Sequence, residues 1–408
     1  MAEFDLGNVI GPRGPQGIQG PPGPQGERGE PGYSVLLELY GVRIDTADSN
    51  PETACVYTDG AAGMISASGN NGAFSWGGWQ SRYPFNKIKP CLFKDGAVVG
   101  YLNPDNFAEF EDGSAADISS GNAGDVMIEI PHFYYKIGHV GNYLEVKISN
   151  ASMEGFTDGA FSYKGEVKDK FYIGAYLGYK DSSGKLRSLT GKTVTGNITI
   201  GAARTAAQAN GAGYEQLAFN KLTALQVLYI VMFKNLNSQA ALGQGYTNAS
   251  AYRDTGATDT KGMTYGTTGD STANDTVKFL GIEDFYGNLY QWVDGFMTGN
   301  NLFKIADGNF NDTADGYETF PGIATSIMGS YPKDVVGTNE LGFTAKTSGG
   351  STSTYYCDMV AIMPSSAFLP VFGGYRYDGA IAGAFFFDCG YSASSAIALI
   401  GARLCFCG

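Results

Sequence analysis

Gly281-Ile282-Glu283-Asp284-Phe285-Tyr286-Gly287-Asn288-Leu289-Tyr290-Gln291-Trp292 is the stretch on which the reading of this chain turns. Its Gly287-Asn288 pair supplies a turn, and the apolar residues on either side of it pack a core. Upstream lie short apolar runs separated by Gly, Asn and Asp clusters: Ser34–Arg43, Ala97–Leu102, Asp125–Ile130, Phe133–Ile137, Tyr143–Ile148 and Phe171–Tyr179. They are rich in β-branched and aromatic types, which predicts strands. Leu222–Leu236 differs. It has no Gly or Pro, and Leu222, Leu225, Leu228, Tyr229, Met232, Phe233 and Leu236 recur at three- and four-residue steps. This predicts a helix capped by Asn220 or Thr223. Val227, Ile230 and Val231 give it a second apolar face, which places it in the core. Residues 237–278 are rich in Gly, Thr, Ser and Asn and read as long loops. The fold class is α+β, strand-rich with few helices.

Composition narrows the function. The 408 residues carry 40 acidic and 27 basic side chains, a formal net charge of −13. That balance speaks against a nucleic-acid groove, which needs clustered Lys and Arg, and against anionic lipid. No apolar run reaches the ~18 residues of a membrane span, so no membrane insertion is expected. Met1–Asp5 carries two acids and no base, unlike a secretory leader. Only His132 and His139 are present, which removes most His-based hydrolase and metalloprotease chemistry. The six cysteines, Cys55, Cys91, Cys357, Cys389, Cys405 and Cys407, contain no Cys-x-x-Cys pair and are too sparse for a disulfide scaffold.

Glycine is in excess, 59 of 408 residues, against a usual ~7%. Eight of them, Gly11, Gly14, Gly17, Gly20, Gly23, Gly26, Gly29 and Gly32, stand in strict three-residue register. Pro12, Pro15, Pro21, Pro22, Pro24 and Pro31 fill positions between. This is the collagen repeat, in which three polyproline-II strands wind about an axis where only glycine fits. Residues 11–32 are therefore expected to be a stalk about 60 Å long. The stalk implies a homotrimer. Residues 1–10 lie at its far end as an attachment segment.

The 281–292 stretch resembles the Gly-Leu-x-Asp-Met-x-Gly-Asn-Val-x-Glu-Trp signature of formylglycine-generating-enzyme-like proteins, which have a C-type-lectin-like fold. A second set of residues points the same way. Gly373-Gly374, Asp378-Gly379, Ala382-Gly383-Ala384-Phe385, Ser392-Ala393-Ser394 and Ile400-Gly401-Ala402-Arg403-Leu404 resemble the variable region of diversity-generating-retroelement targets. Several of those are phage tail adhesins. Asp169–Gly174 and the predicted helix followed by Asn237-Ser238-Gln239 are similar to the same tail proteins. The resemblance covers roughly residues 35–408. It implies a β-rich connecting region over 33–119 and a C-type-lectin-like domain over 120–408, with its variable region at 371–408.

Such retroelements mutate adenines, mostly in AAY codons. The resulting codons cannot encode Lys, Glu, Gln, Met or Trp. None of the five occurs in Val371–Gly408, although they make up 56 of the 408 residues. A compact core segment that excludes long polar side chains is the other reading of that gap. Within the window the resemblance separates a frame from varying positions. The frame is Gly373, Gly374, Gly379, Gly383, Ala384, Phe385, Gly401, Ala402 and Arg403, with Arg403 pairing internally. The varying, receptor-binding positions are Tyr375, Arg376, Tyr377, Asp378, Ile381, Phe386, Asp388, Gly390, Tyr391, Ser395, Ile397 and Leu399. Tyr and Arg suit recognition because they offer large contact area and hydrogen bonds at modest entropy cost.

Other chemistries fit less well. Gly191-Lys192-Thr193 lacks the earlier glycine of a phosphate loop, since Leu186 stands there. No Gly-x-Ser-x-Gly or His-Glu-x-x-His occurs. Asp307, Asn309, Asn311, Asp315 and Glu318 follow EF-hand-like spacing, but Asp312 replaces the required glycine. Calcium at Asp307–Glu318 stays open; no metal, cofactor or catalytic residue is assigned. The expected protein is a non-catalytic phage tail adhesin, located in the virion and joined to the tail or baseplate through its N-terminus. It would bind a bacterial surface receptor, protein or polysaccharide. The alternatives are a diversified surface binder of a bacterium, and an oxidase of the formylglycine-generating type.

Overall fold

The C-terminus closes the largest sheet. Strand Leu404–Phe406 lies between Tyr214–Gln216 and Lys170–Gly174. Asp125–Pro131, Lys89–Lys94, Ala97–Asn103 and Asn106–Phe110 follow in that order, every neighbouring pair antiparallel. This computed structural model describes Gly14 and residues 36–70, 73–267 and 275–408. The attachment segment 1–10 and the collagen-type run 11–32 lie outside the described residues, Gly14 apart. Residues 37–408 form one compact unit. The described residues are strand-rich with few helices, 36% strand and 11% helix.

Strand burial follows sequence pattern. Asp125–Ile130 shows no alternation and is buried throughout, as befits an interior strand with both faces covered. Tyr143–Ser149 alternates, with Leu144, Val146 and Ile148 turned inward. It joins a second sheet in the order Cys55–Asp59, Leu39–Asp45, Tyr143–Ser149, Tyr134–Val140. No boundary falls at 119/120. Lys89–Lys94 pairs with Asp125–Pro131, and Leu39–Asp45 with Tyr143–Ser149, so the described part of the connecting region shares both sheets with the rest.

Three α-helices are present among the described residues: α1 (Ile200–Gln208), α2 (Phe219–Phe233) and α3 (Ser238–Ala241). Thr199 caps α1 by accepting from the Ala202 N–H at 3.1 Å. The core helix α2 is buried on all sides apart from Asn220, and packs against Tyr143–Ser149 and Leu39–Asp45. Its start lies three residues before the predicted Leu222, and neither expected cap acts. Ala218 occupies the N-cap without a side-chain bond. Thr223 instead donates to the Phe219 carbonyl at 3.0 Å, and Asn220 Oδ1 accepts from the Lys221 N–H. The apolar stretch extends upstream through Phe219, and that burial extends the helix beyond the polar residues that looked like its edge.

A third, mixed sheet carries the motif. Its order is Ile327–Ser330, Val360–Ile362, Phe387–Tyr391, Leu369–Phe372, Tyr290–Trp292, Ile400–Gly401. Tyr290–Trp292 pairs antiparallel with Leu369–Phe372 and parallel with Ile400–Gly401. The end of the 281–292 stretch is thus held between the two ends of the 371–408 window. Trp292 is fully buried, and its Nε1 donates to the Ile198 carbonyl at 2.8 Å.

A candidate binding face

The turn before the motif strand positions everything above it. Asn288 takes a positive φ of 62°, a conformation that Asn tolerates better than most residues. Its side chain donates to Asp284 Oδ2 at 2.8 Å and to the Arg253 carbonyl at 3.0 Å. Arg403 lies behind this turn, 1% exposed. Its Nη2 donates to the carbonyls of Glu283 and Asp284 at 2.8 Å, its Nη1 to Gly174 at 2.9 Å, and its Nε to Gln291 Oε1 at 2.7 Å. One guanidinium therefore ties the C-terminal strand to the turn, to the motif strand and to strand Lys170–Gly174. Burial lowers the Arg403 pKa to about 10 and pushes the neighbouring Asp284 up to about 8.

The backbone of residues 373–385 is fastened largely by groups outside the window. Gln226 of α2 donates to the Ala384 carbonyl at 2.8 Å. Gln239 of α3 donates to the carbonyls of Gly379 at 2.7 Å and Ala382 at 2.8 Å. The Ala384 N–H donates to Ser238 Oγ at 3.0 Å, and the Phe385 N–H to Asp358 Oδ2 at 2.8 Å. The Arg376 N–H reaches the Asn288 carbonyl and the Gly379 N–H the Thr247 carbonyl. Gly383 admits no side chain, because a Cβ there would lie 2.2 Å from Asp358 Oδ1. Gly374, at φ +81°, would place one 2.4 Å from Ala382 Cβ. The second stretch is held likewise: the Ile397 carbonyl accepts from Asn197 N–H, and the Leu399 carbonyl from Tyr290 N–H.

The side chains of these stretches divide between solvent and the interior, and Tyr375, Ile381, Tyr391 and Leu399 are half-buried against an apolar cluster. Tyr377 is exposed at 56% and Ile397 at 37%. Tyr375, Arg376, Asp378, Ile381, Asp388, Gly390, Tyr391, Ser395 and Leu399 are partly exposed. Tyr290 of the motif strand, itself buried, joins the two stretches. Its ring centroid lies 4.9 Å from Tyr375 and 6.5 Å from Tyr391, and its hydroxyl bonds Asp378 Oδ1 at 3.3 Å. Arg376 is sandwiched between Tyr252 and Tyr377, 4.4 Å from each ring centroid. Tyr252 and Tyr290 lie outside the window, and sequence reasoning did not single them out.

Phe386 departs from expectation. It is fully buried and stacks on Tyr290 at 5.2 Å, so it supports the face from below and presents nothing to a receptor. Its neighbours are buried too. Phe385 packs on Tyr229, Phe343 and Tyr356, and Phe387 on Phe219 and Phe296. Three consecutive aromatics thus enter the interior, the outer two in one apolar cluster and Phe386 in another.

Two half-buried carboxyls, Asp378 and Asp388, belong to the face. Asp378 Oδ2 accepts from the Tyr375 N–H at 3.0 Å, which closes the turn at 375–378. Burial raises both Asp378 and Asp388 to about 6. Elsewhere, the candidate calcium loop spends its side chains on itself and on its neighbours. Asn311 Oδ1 accepts from Thr313 and Asp315 N–H groups, Asp307 from Ser162 and the Gly165 N–H, and Asp312 from Arg204. Among the described residues, no three His, Cys, Asp or Glu side chains gather as a cation set. All six cysteines are buried free thiols. Burial pushes the Cys405 thiol up to about 12 and raises that of Cys389, which disfavours the thiolate on which nucleophilic attack and metal ligation rely.

No family model matches this sequence, and no curated protein matches it.

Substitutions should divide by position. Gly383→Ala should lower unfolding stability in urea by more than about 2 kcal/mol, through collision with Asp358. Tyr377→Ala should change it by no more than about 0.5 kcal/mol. Asp378 also sets a pH dependence. Its folded pKa lies above the ordinary aspartate value, so its contribution is fully present below pH ~4 and is lost as pH rises through about 6. Asp378→Asn should flatten that part of the stability–pH curve, measured by thermal melts between pH 4 and 7.

Proposed function

We propose that this chain is the adhesin of a phage tail tip, with a C-type-lectin-like head on a trimeric collagen-type stalk. Residues 1–10 attach it to the tail or baseplate, and the protein resides in the virion. The head binds a bacterial surface receptor through Tyr375, Arg376, Tyr377, Asp378, Ile381, Asp388, Gly390, Tyr391, Ser395, Ile397 and Leu399, without catalysis or a cofactor. One observation carries this reading: the backbone of 373–385 is held by Gln226, Ser238, Gln239 and Asp358, all outside the 371–408 window. A loop fixed from outside keeps its path while its outward side chains change, which separates stability from specificity. The absence of Lys, Glu, Gln, Met and Trp from the window supports the same division. Three heads on one stalk turn weak contacts into avidity when receptors are dense.

The test is binding of labelled full-length protein to host cells. A Tyr375→Ala/Tyr377→Ala/Tyr391→Ala variant should lose at least tenfold in cell binding while remaining folded by circular dichroism; undiminished binding contradicts the reading. Light scattering tests the stalk. A mass three times the 43.2 kDa chain is expected, and a monomer at micromolar concentration refutes it.

A further inference from the structure

A cleft of about 650 Å³ lies outside the window, with none of the variable positions in its lining. Its volume falls within the ~300–1,000 Å³ range of small-molecule sites. The rings of Tyr317 and Phe320 line it with the carboxylates of Glu318 and Glu340, and with those of Asp307 and Asp315, which already accept from Ser162 and Thr313. No Lys, Arg or His is among its lining residues.

Much of the wall is preformed. Asn339 is fixed by accepting from the Ile137 N–H at 2.8 Å and donating to the Gly155 carbonyl at 3.0 Å. Tyr317 is nearly buried, with its hydroxyl accepting from the Asn311 N–H at 3.1 Å. Glu318 and Glu340 are exposed at the rim, open to an incoming hydroxyl.

The chemistry of the lining selects among ligands. An anion meets four carboxylates and no counter-charge. A wholly apolar ligand would strip water from those carboxylates without replacing its hydrogen bonds. A metal ion finds no gathered set of acids. A sugar ring satisfies both kinds of wall. Its hydroxyls donate to carboxylates, and its apolar C–H face lies on an aromatic ring. We infer that this cleft is a second binding site, for a short neutral oligosaccharide. The site lies entirely outside 371–408, so it stays the same while the diversified face changes. That constancy rests on the adhesin reading, whereas binding of the sugar does not.

The test is an array of neutral and acidic oligosaccharides probed with the full-length protein, followed by calorimetry with the best neutral one. Binding of a neutral oligosaccharide is expected. Glu318→Gln/Glu340→Gln and, separately, Phe320→Ala should each weaken it at least tenfold, with melting temperatures retained. Tyr375→Ala/Tyr377→Ala/Tyr391→Ala should leave it within twofold. No binding to any neutral sugar, preference for acidic sugars, or loss through the three tyrosines and not through the cleft variants would each overturn the inference.

Discussion

The buried guanidinium of Arg403 is the constraint on which the rest of the head depends. A charge taken out of water is costly unless its donors are filled. Here four hydrogen bonds, three to main-chain carbonyls and one to Gln291, engage four of its five N–H donors at 2.7–2.9 Å. Those carbonyls belong to Gly174, Glu283 and Asp284, in two separate parts of the chain. Satisfying Arg403 therefore fixes the C-terminal strand, the turn and the motif strand relative to one another. Lysine, with a point charge on a flexible stem, cannot reproduce that fork.

From this anchor the face is built in layers. Tyr290–Trp292 is paired on both edges by strands near the two ends of the 371–408 segment. Tyr290 then supports Tyr375, Phe386 and Tyr391. The intervening loop hangs from α2, α3 and Asp358 by its own backbone. Asp358 carries a structural cost: it is wholly buried, and its carboxyl is pushed up to about 8 by that burial. It accepts from the Phe385 N–H and the Ser238 hydroxyl while abutting Gly383. One carboxyl thus explains both the path of the loop and the requirement for glycine there.

Parts of this were legible in the sequence because they rest on local pattern. The three- and four-residue apolar recurrence over Leu222–Leu236 marked a central helix, and the alternating run at Tyr143–Ile148 marked a half-buried strand. The frame residues Gly383 and Arg403 stood out through a family likeness, and the structure supplies their physical reasons. The cap of α2 was not legible, since Thr223 lies inside the helix and donates to the Phe219 carbonyl one turn back. Phe386 was misassigned because a run of three phenylalanines does not say which interior each one enters. The supports Gln226, Gln239 and Asp358 lie far away in sequence, and no spacing rule points to them. The same holds for the cleft, whose walls come from segments scattered between Tyr135 and Glu340.

The central claim is that the 373–385 loop is held by groups outside the 371–408 segment. The most direct measurement is a stability scan of every substitution from Val371 to Gly408, read as resistance of the folded protein to proteolysis. The account predicts broad tolerance at Arg376, Tyr377, Ser395 and Ile397. It predicts intolerance at Gly374, Gly383, Ala384, Phe385, Phe386, Gly401, Ala402 and Arg403. Equal sensitivity of the two groups would contradict it, because the outward side chains would then be part of what holds the head together.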